Sequence, residues 1–163
     1  AAQYTKDYYG LPESPQEIMD EWFRQALYAY SHTIAPKPHA RAYLDQCRAG
    51  GERMAIITSS APELCRATLE KNGMADYFER LFFAQEMGIE KQDPALFRAA
   101  ADALHLPAED CTLLDDSPLA CRSAKEAGLS VIGVYDEIFA AAEGEMRSVC
   151  DRYIRDFSEL LVS

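Results

Sequence analysis

Several features that mark other protein classes are missing from this chain of 163 residues. Its five cysteines form no C-x-x-C pair, which excludes the common zinc-site spacings and predicts reduced thiols in a cytoplasmic protein. No apolar run is long enough to cross a bilayer. Neither a G-x-G-x-x-G fingerprint nor a P-loop is present, so the chain is not expected to bind a dinucleotide or, through a Walker-type loop, a nucleoside triphosphate.

Positive charge is also scarce. The chain has 16 lysines and arginines against 27 aspartates and glutamates, a formal net charge of -11 at pH 7. Nucleic acids and anionic membranes are bound through basic surfaces, so neither is an expected partner. An anionic small molecule would gain no long-range attraction either. A phosphate must therefore be held by local positive charge, which gives weight to single lysines and to a bound metal ion.

Apolar runs and helical patterns alternate along the chain. The apolar period and the capping residues predict helices over 15–31, 40–47, 62–71, 94–104, 118–127 and 138–142. Strands are predicted over 53–58, 81–83, 112–115, 130–135 and 153–157, with a final turn over 158–161. This alternation indicates an α/β fold, a Rossmann-like parallel sheet with helices on both faces. Two prolines in 34–38 indicate a linker between a small helical piece, 1–33, and the main domain, 34–163.

Polar side chains follow two of the predicted strands, where ligands of open parallel sheets gather. Thr58 ends one apolar run, and the hydroxyls and amides of 58–62 offer a cradle for an anion. Lys91 would neutralise phosphate oxygens. Asp115 and Asp116 end another apolar run, and adjacent carboxylates repel one another unless a cation lies between them. One could bind Mg²⁺ directly and the other through water.

Each of these observations also has a simpler explanation. Residues 59–62 can merely cap a helix, because serine and proline are common at helix starts. A lysine in a loop is usually solvated surface. An aspartate pair is also welcome at a helix N-terminus. Only the combination favours a phosphate site beside a divalent cation.

In this order, Thr58, Lys91 and the Asp115-Asp116 pair resemble the haloacid dehalogenase superfamily of phosphatases and phosphomutases. The resemblance runs from about residue 36 to 134. Its parts are Ala55–Ser59 as the second motif, Lys91 with Asp93-Pro94 as the third, and Leu113–Ser117 as the fourth, followed by Ser123–Gly128. Residues 1–33 are similar to the later part of the helical cap in the subgroup that includes β-phosphoglucomutase and phosphoglycolate phosphatase. A response regulator uses similar residue types in the opposite chain order.

The resemblance implies a role for each matching residue. Thr58 and Ser59 would bind phosphate, and Lys91 would bridge phosphate and nucleophile. Asp116 would ligate Mg²⁺, with Asp115 supporting it from the outer shell. The halide-removing branch of the superfamily needs no metal and is not expected to carry this acidic pair, which favours phosphate chemistry.

Two departures from the family pattern stand out. Gln92 follows Lys91 where the family usually has proline. More seriously, 1–33 contain neither an Asp-x-Asp motif nor an apolar strand to present one. In the family this motif supplies the nucleophile and the general acid/base from a central strand. Because the chain also starts without methionine, we expect it to lack its N-terminal βα unit and the start of the cap. A sheet without its central strand would have a gap in the core. The rest of a longer native protein, or a segment of a partner, would fill that gap.

The sequence therefore predicts a Mg²⁺-dependent phosphatase in the parent protein, acting on a small phosphorylated metabolite through an aspartyl-phosphate. The nucleophile would be absent from this chain, so the fragment itself is expected to be inactive. One alternative is a catalytically silent fragment, or a binding or scaffold module, on the same fold. A phosphomutase is a second alternative. Substrate identity and oligomeric state cannot be read from the residues.

Overall fold

The structure is a computed structural model that describes residues 1–162. Its α-helices are α1 (Ala2–Tyr9), α2 (Pro15–His32), α3 (Ala40–Ala49), α4 (Pro62–Lys71), α5 (Ala84–Met87), α6 (Pro94–Ala103), α7 (Pro118–Ala127) and α8 (Glu143–Val149). Its strands are β1 (Ala55–Thr58), β2 (Arg80–Phe83), β3 (Thr112–Asp115), β4 (Ser130–Val134) and β5 (Arg152–Ile154). Short 3-10 segments lie at Ala75–Tyr77, Ala108–Asp110, Glu137–Ala142 and Phe157–Leu160. Parallel strands alternate with helices, which confirms the predicted α/β class.

The chain divides into two compact units, one of residues 1–35 with 62–75, the other of 36–61 with 76–163. In the first unit α2 packs against α1 and α4. The start of α2 is fixed by a capping box, in which Ser14 Oγ accepts from the Glu17 amide at 3.2 Å and a Glu17 carboxylate oxygen accepts from the Ser14 amide at 2.7 Å. The helical cap expected for 1–33 stays a prediction.

In the second unit every strand pairing is parallel. β1 pairs with β2, and β3, β4 and β5 form a second sheet with β4 in its centre. Within the described chain, β1 and β3 each have a single neighbouring strand. Because parallel strands share a direction, their carboxyl ends lie at one edge of each sheet, where polar residues can be exposed without unpairing the ladder.

One apolar cluster holds this unit together. Phe97 of α6, Cys121 and Ala124 of α7 and Val131 of β4 are each fully buried in it. Ile57 of β1 and Leu113 of β3 both pack against the same cluster, so the two sheets share a core. Burial of such side chains contributes roughly 1.5–3 kcal/mol each, which makes this cluster the main support for the strand ends.

Several elements differ from the sequence prediction. The helices α1, α5 and α8 were not predicted, because α1 and α5 are short and α8 has few apolar residues. Residues 138–142 form a 3-10 segment that leads into α8. The last strand ends at Ile154 because a capping box between Asp156 and Glu159 begins a 3-10 turn there.

The helices of residues 1–162 include none that is long and apolar enough to span a bilayer.

Gly133 in β4 lies where no side chain fits. A Cβ there would be 2.7 Å from Cδ2 of Tyr153, 2.8 Å from Sγ of Cys150 and 3.1 Å from Cε of Met146. We expect Gly133→Ala to lower the free energy of unfolding by about 1–3 kcal/mol because the core must shift to admit the methyl group. Urea denaturation measures this. Gly144→Ala in α8 is the control, since its Cβ meets nothing within 4 Å. Equal stability of the two variants would contradict the packing described for β4.

Candidate active site

A cleft of about 770 Å³ opens at the carboxyl ends of the strands of the second unit. Residues that follow four different strands line it: Ser59 after β1, Ala84 and Gln85 after β2, Asp115, Asp116 and Ser117 at the end of β3, and Phe139 after β4. The loop before α6 and the start of α7 complete it with Gly88, Ile89, Glu90, Lys91, Gln92, Leu119 and Ala120. The polar ends of separate strands therefore meet around one space.

Lys91 reaches the cleft from a short, well-anchored loop. The helix α5 ends at Gly88, whose φ of 66° is the left-handed conformation that glycine adopts without strain. Asp93 caps α6 by accepting from the Ala95 amide at 2.8 Å. Between these two ends, the Ser123 hydroxyl of α7 donates to the carbonyl of Gln92 at 2.6 Å. The backbone on both sides of Lys91 is thus fixed.

Lys91 forms an ion pair with Asp115 across the cleft. The Lys91 ammonium lies 2.5 Å from Oδ2 of Asp115, and the side chains are 26% and 8% exposed. The other carboxylate oxygen accepts from the Ser117 amide at 2.9 Å. Both oxygens of Asp115 therefore have a protein donor, and its carboxylate is held at the end of β3.

Asp116 is in a different environment. Burial raises the pKa of Asp116 above its ordinary value, and the charge of Asp115 raises it further, whereas Lys37 acts in the opposite direction. The Lys37 ammonium lies 3.7 Å from Asp116 and 2.5 Å from Asp136, and it donates to the carbonyl of Tyr135 at 3.1 Å. The hydrogen bond from Lys37 lowers the pKa of Asp136. Burial destabilises the charged form of the Asp116 carboxylate, and a bound cation would stabilise it.

Thr58, the last residue of β1, and Ser59, the residue after it, differ in position relative to the cleft. Ser59 is exposed and lines the cleft. Thr58 ends β1, and its hydroxyl accepts from the Ser60 amide at 3.0 Å, which shapes the turn that presents Ser59. Among residues 1–162 the cleft lining includes Ser59 but not Thr58. The phosphate-binding role of Thr58 stays a prediction.

The carboxylate oxygens of Asp115 and Asp116 are suitable ligands for a hard divalent cation. Mg²⁺ prefers oxygen ligands and is usually held in proteins by one or two carboxylates together with water and phosphate oxygens. Asp116 is free of the donors that occupy Asp115, so it is the carboxylate best placed to bind the ion directly. In the part of the chain that the structure describes, no three His, Cys, Asp or Glu side chains form a complete metal site. The remaining ligands would therefore come from elsewhere.

Lys37 and Asp136 were missed by sequence reasoning. Asp136 follows the end of β4, so the rule that located Asp115 and Asp116 could also have located it. Lys37 had no such signal, because it lies in the linker and reaches Asp136 over 99 positions of sequence. Ser123 was noted only as part of a motif. It is 5% exposed and holds the loop of Lys91 to α7.

We expect Ser123→Ala to lower the free energy of unfolding by about 1–2 kcal/mol, because the carbonyl of Gln92 would lose a buried hydrogen bond. Hydrogen exchange of the 88–93 amides should rise in the same variant. Ser148→Ala is a matched control, since that hydroxyl also donates to a carbonyl, at 2.7 Å, but on an exposed surface. If both substitutions leave the exchange of the loop unchanged, Ser123 does not anchor it.

Comparisons with known proteins find a matching family and similar proteins. The model of a family described as haloacid dehalogenase-like hydrolase matches residues 3–134. A phosphoserine phosphatase from Thermus thermophilus is 32% identical over 126 residues, which cover 77% of this chain and 49% of that protein. A phosphoglycolate phosphatase from Rhodospirillum rubrum is 34% identical over 58% of this chain and 39% of that protein. The chain spans about half or less of the length of these relatives.

Solved structures share the fold. The protein CbbY from Rhodobacter sphaeroides, a variant in complex with xylulose-(1,5)bisphosphate, aligns with a TM-score of 0.79 at 22% identity, over 92% of this chain and 67% of that one. The L-2-haloacid dehalogenase from Xanthobacter autotrophicus aligns with a TM-score of 0.72 at 18% identity, over 96% and 69% of the two chains. At these identities the alignments establish a common fold and nothing finer.

Proposed function

The chain belongs to the haloacid dehalogenase-like hydrolases, and we propose that it forms the phosphate- and metal-binding part of a Mg²⁺-dependent phosphatase. The observation that carries the proposal is the single cleft that contains Ser59, Lys91, Asp115 and Asp116. Ser59 and Lys91 would hold the phosphate, with Thr58 shaping the turn beneath it. Asp116 would bind Mg²⁺ and Asp115 would support it from the outer shell.

Electrostatic attraction of an anionic substrate would be local to the cleft. The net charge of -11 repels anions at long range, so the Lys91 ammonium must act locally. A lysine that is 26% exposed and already aligned by Asp115 needs little reorganisation to meet phosphate oxygens. Mg²⁺, when bound, would neutralise charge that develops on those oxygens.

We infer that the nucleophile is a carboxylate on a strand seated between β1 and β3, each of which has one strand neighbour in the described chain. A carboxylate oxygen would attack phosphorus, and the bond from phosphorus to the substrate oxygen would break. A general acid would give that oxygen a proton, which releases an alcohol. Water would then attack the phosphorus of the aspartyl-phosphate, releasing inorganic phosphate and restoring the carboxylate.

The names of the relatives support a substrate class for the proposal. They include phosphatases named for phosphoserine and for phosphoglycolate, and one neighbour was solved with a sugar bisphosphate. All three are small phosphorylated metabolites, and we propose the same class here, in a cytoplasmic protein. Residues 1–33 would be the remaining part of a helical cap. A phosphomutase is an alternative, because it would use the same phosphate and metal groups.

A catalytically silent module is the competing candidate. Three carboxylates of the described chain line the cleft. Asp115 is held by Lys91 and Ser117, Glu90 bonds to Gln92 of its own loop, and Asp116 has the proposed metal role. None of the three is therefore proposed as the nucleophile. We therefore expect the chain of residues 1–163 to bind phosphate without turning it over, and the full-length gene product to be active.

In the full-length gene product, Asp116→Ala should lower the turnover of p-nitrophenyl phosphate at saturating Mg²⁺ at least about hundredfold, because charge in the transition state would lose its metal. Asp110→Ala is the control, since this exposed aspartate lies outside the cleft. Unchanged turnover of the Asp116 variant would refute the metal role.

The chain of residues 1–163 offers a separate test of binding. Orthovanadate with Mg²⁺ should raise its melting temperature by mass action, although it turns over no substrate. Lys91→Met should remove most of the vanadate-dependent part of the rise. Lys71→Met is the control, because Lys71 lies in the other unit and bonds to the carbonyl of Ile34. A rise that survives loss of Lys91 would place the anion elsewhere.

A further inference from the structure

Lys37 lies near Asp116 but has no role in the proposed reaction. It lies between Pro36 and Pro38, whose rings restrict the backbone of the linker. Its ammonium is surrounded by three oxygens: Oδ2 of Asp136 at 2.5 Å, the carbonyl of Tyr135 at 3.1 Å and Oδ2 of Asp116 at 3.7 Å. Carboxylate and carbonyl oxygens of this kind are the ligands that hard cations select.

The three side chains are only partly accessible to water. Lys37 is 37% exposed, Asp116 35% and Asp136 25%. Interaction between charges at these distances is weaker than in a dry interior but remains well above its value in bulk water. A divalent cation on Asp116 would therefore be repelled by the Lys37 ammonium unless that ammonium moved away.

We propose that Lys37 is a tethered cation that holds the Asp116 carboxylate in the metal-free chain and competes with the divalent ion for it. Asp136 and the Tyr135 carbonyl keep the ammonium in place, so they set how readily Lys37 gives up Asp116. Lys37 is thus a positioning residue that lowers metal affinity. The inference rests on the proposed metal role of Asp116.

The pair of Lys125 and Asp151 provides a matched comparison. Its ammonium lies 2.7 Å from the carboxylate of Asp151, and the side chains are 35% and 51% exposed. Asp151 also accepts from the Val131 amide at 2.7 Å. The pair thus resembles that of Lys37 and Asp136 in type and in the exposure of its lysine, although Asp151 is more exposed than Asp136, and it lies outside the cleft lining.

The test is calorimetric titration of Mg²⁺ into the chain of residues 1–163 at constant ionic strength. Lys37→Met should lower the Kd for Mg²⁺ by about tenfold, because one repelling charge is lost and the Asp136 carboxylate is released. Lys37→Arg keeps the charge and should bind Mg²⁺ as the unaltered chain does. Lys125→Met should leave the Kd unchanged.

Thermal stability gives a second readout that needs no catalysis. Without metal, Lys37→Met should melt at a lower temperature than the unaltered chain, because Asp116 and Asp136 lose their shared cation. Mg²⁺ should restore the lost stability. Lys125→Met should also melt earlier, but Mg²⁺ should not restore it. Lys37→Gln, which retains a polar head group, replaces Lys37→Met if the latter does not fold.

The outcomes separate this inference from the proposed function. If Asp116→Ala abolishes Mg²⁺ binding while Lys37→Met leaves the Kd within twofold or raises it, the metal site stands and the competition is refuted. Tighter binding by Lys37→Arg would also refute it. If neither the unaltered chain nor Lys37→Met binds Mg²⁺, or Asp116→Ala binds it normally, the metal role of Asp116 fails and this inference falls with it.

Discussion

The ion pair between Lys91 and Asp115 is the interaction on which the cleft depends. It joins the loop before α6 to the end of β3, where the Asp115 side chain is only 8% exposed and the Lys91 ammonium is its charged partner. Hydrogen bonds on both sides of the pair, from Ser123 to Gln92 and from the Ser117 amide to Asp115, restrict its geometry. Because the pair occupies Asp115, the proposed direct metal contact is assigned to Asp116.

Because the chain has a net charge of -11, its lysines near the cleft can attract an anion only at short range. Two lysines near the cleft each have an aspartate within 2.5 Å, so neither projects a strong field into solvent. Such pairs hold a positive charge in place for a ligand that arrives by diffusion. Specific contacts, and not long-range attraction, would then decide what binds.

Much of the fold and part of the site could be predicted from the sequence, for identifiable reasons. Buried parallel strands are continuous apolar runs, so β1, β3 and β4 could be recognised, and the polar residues at their ends marked Thr58, Asp115 and Asp116. The cleft lining includes both aspartates and Ser59, the residue after Thr58. The contacts of Lys37 could not be predicted, because they join residues about a hundred positions apart and depend on tertiary packing. The same holds for the space around Gly133, which three side chains define.

The most direct measurement of the central claim is a crystal structure of the chain grown with Mn²⁺ in place of Mg²⁺ and soaked in orthovanadate. Anomalous scattering locates the metal independently of the protein atoms. We expect the anomalous peak at the Asp116 carboxylate and the vanadate in contact with Lys91 and Ser59. A metal bound away from Asp116, or vanadate outside this cleft at full occupancy, would contradict it.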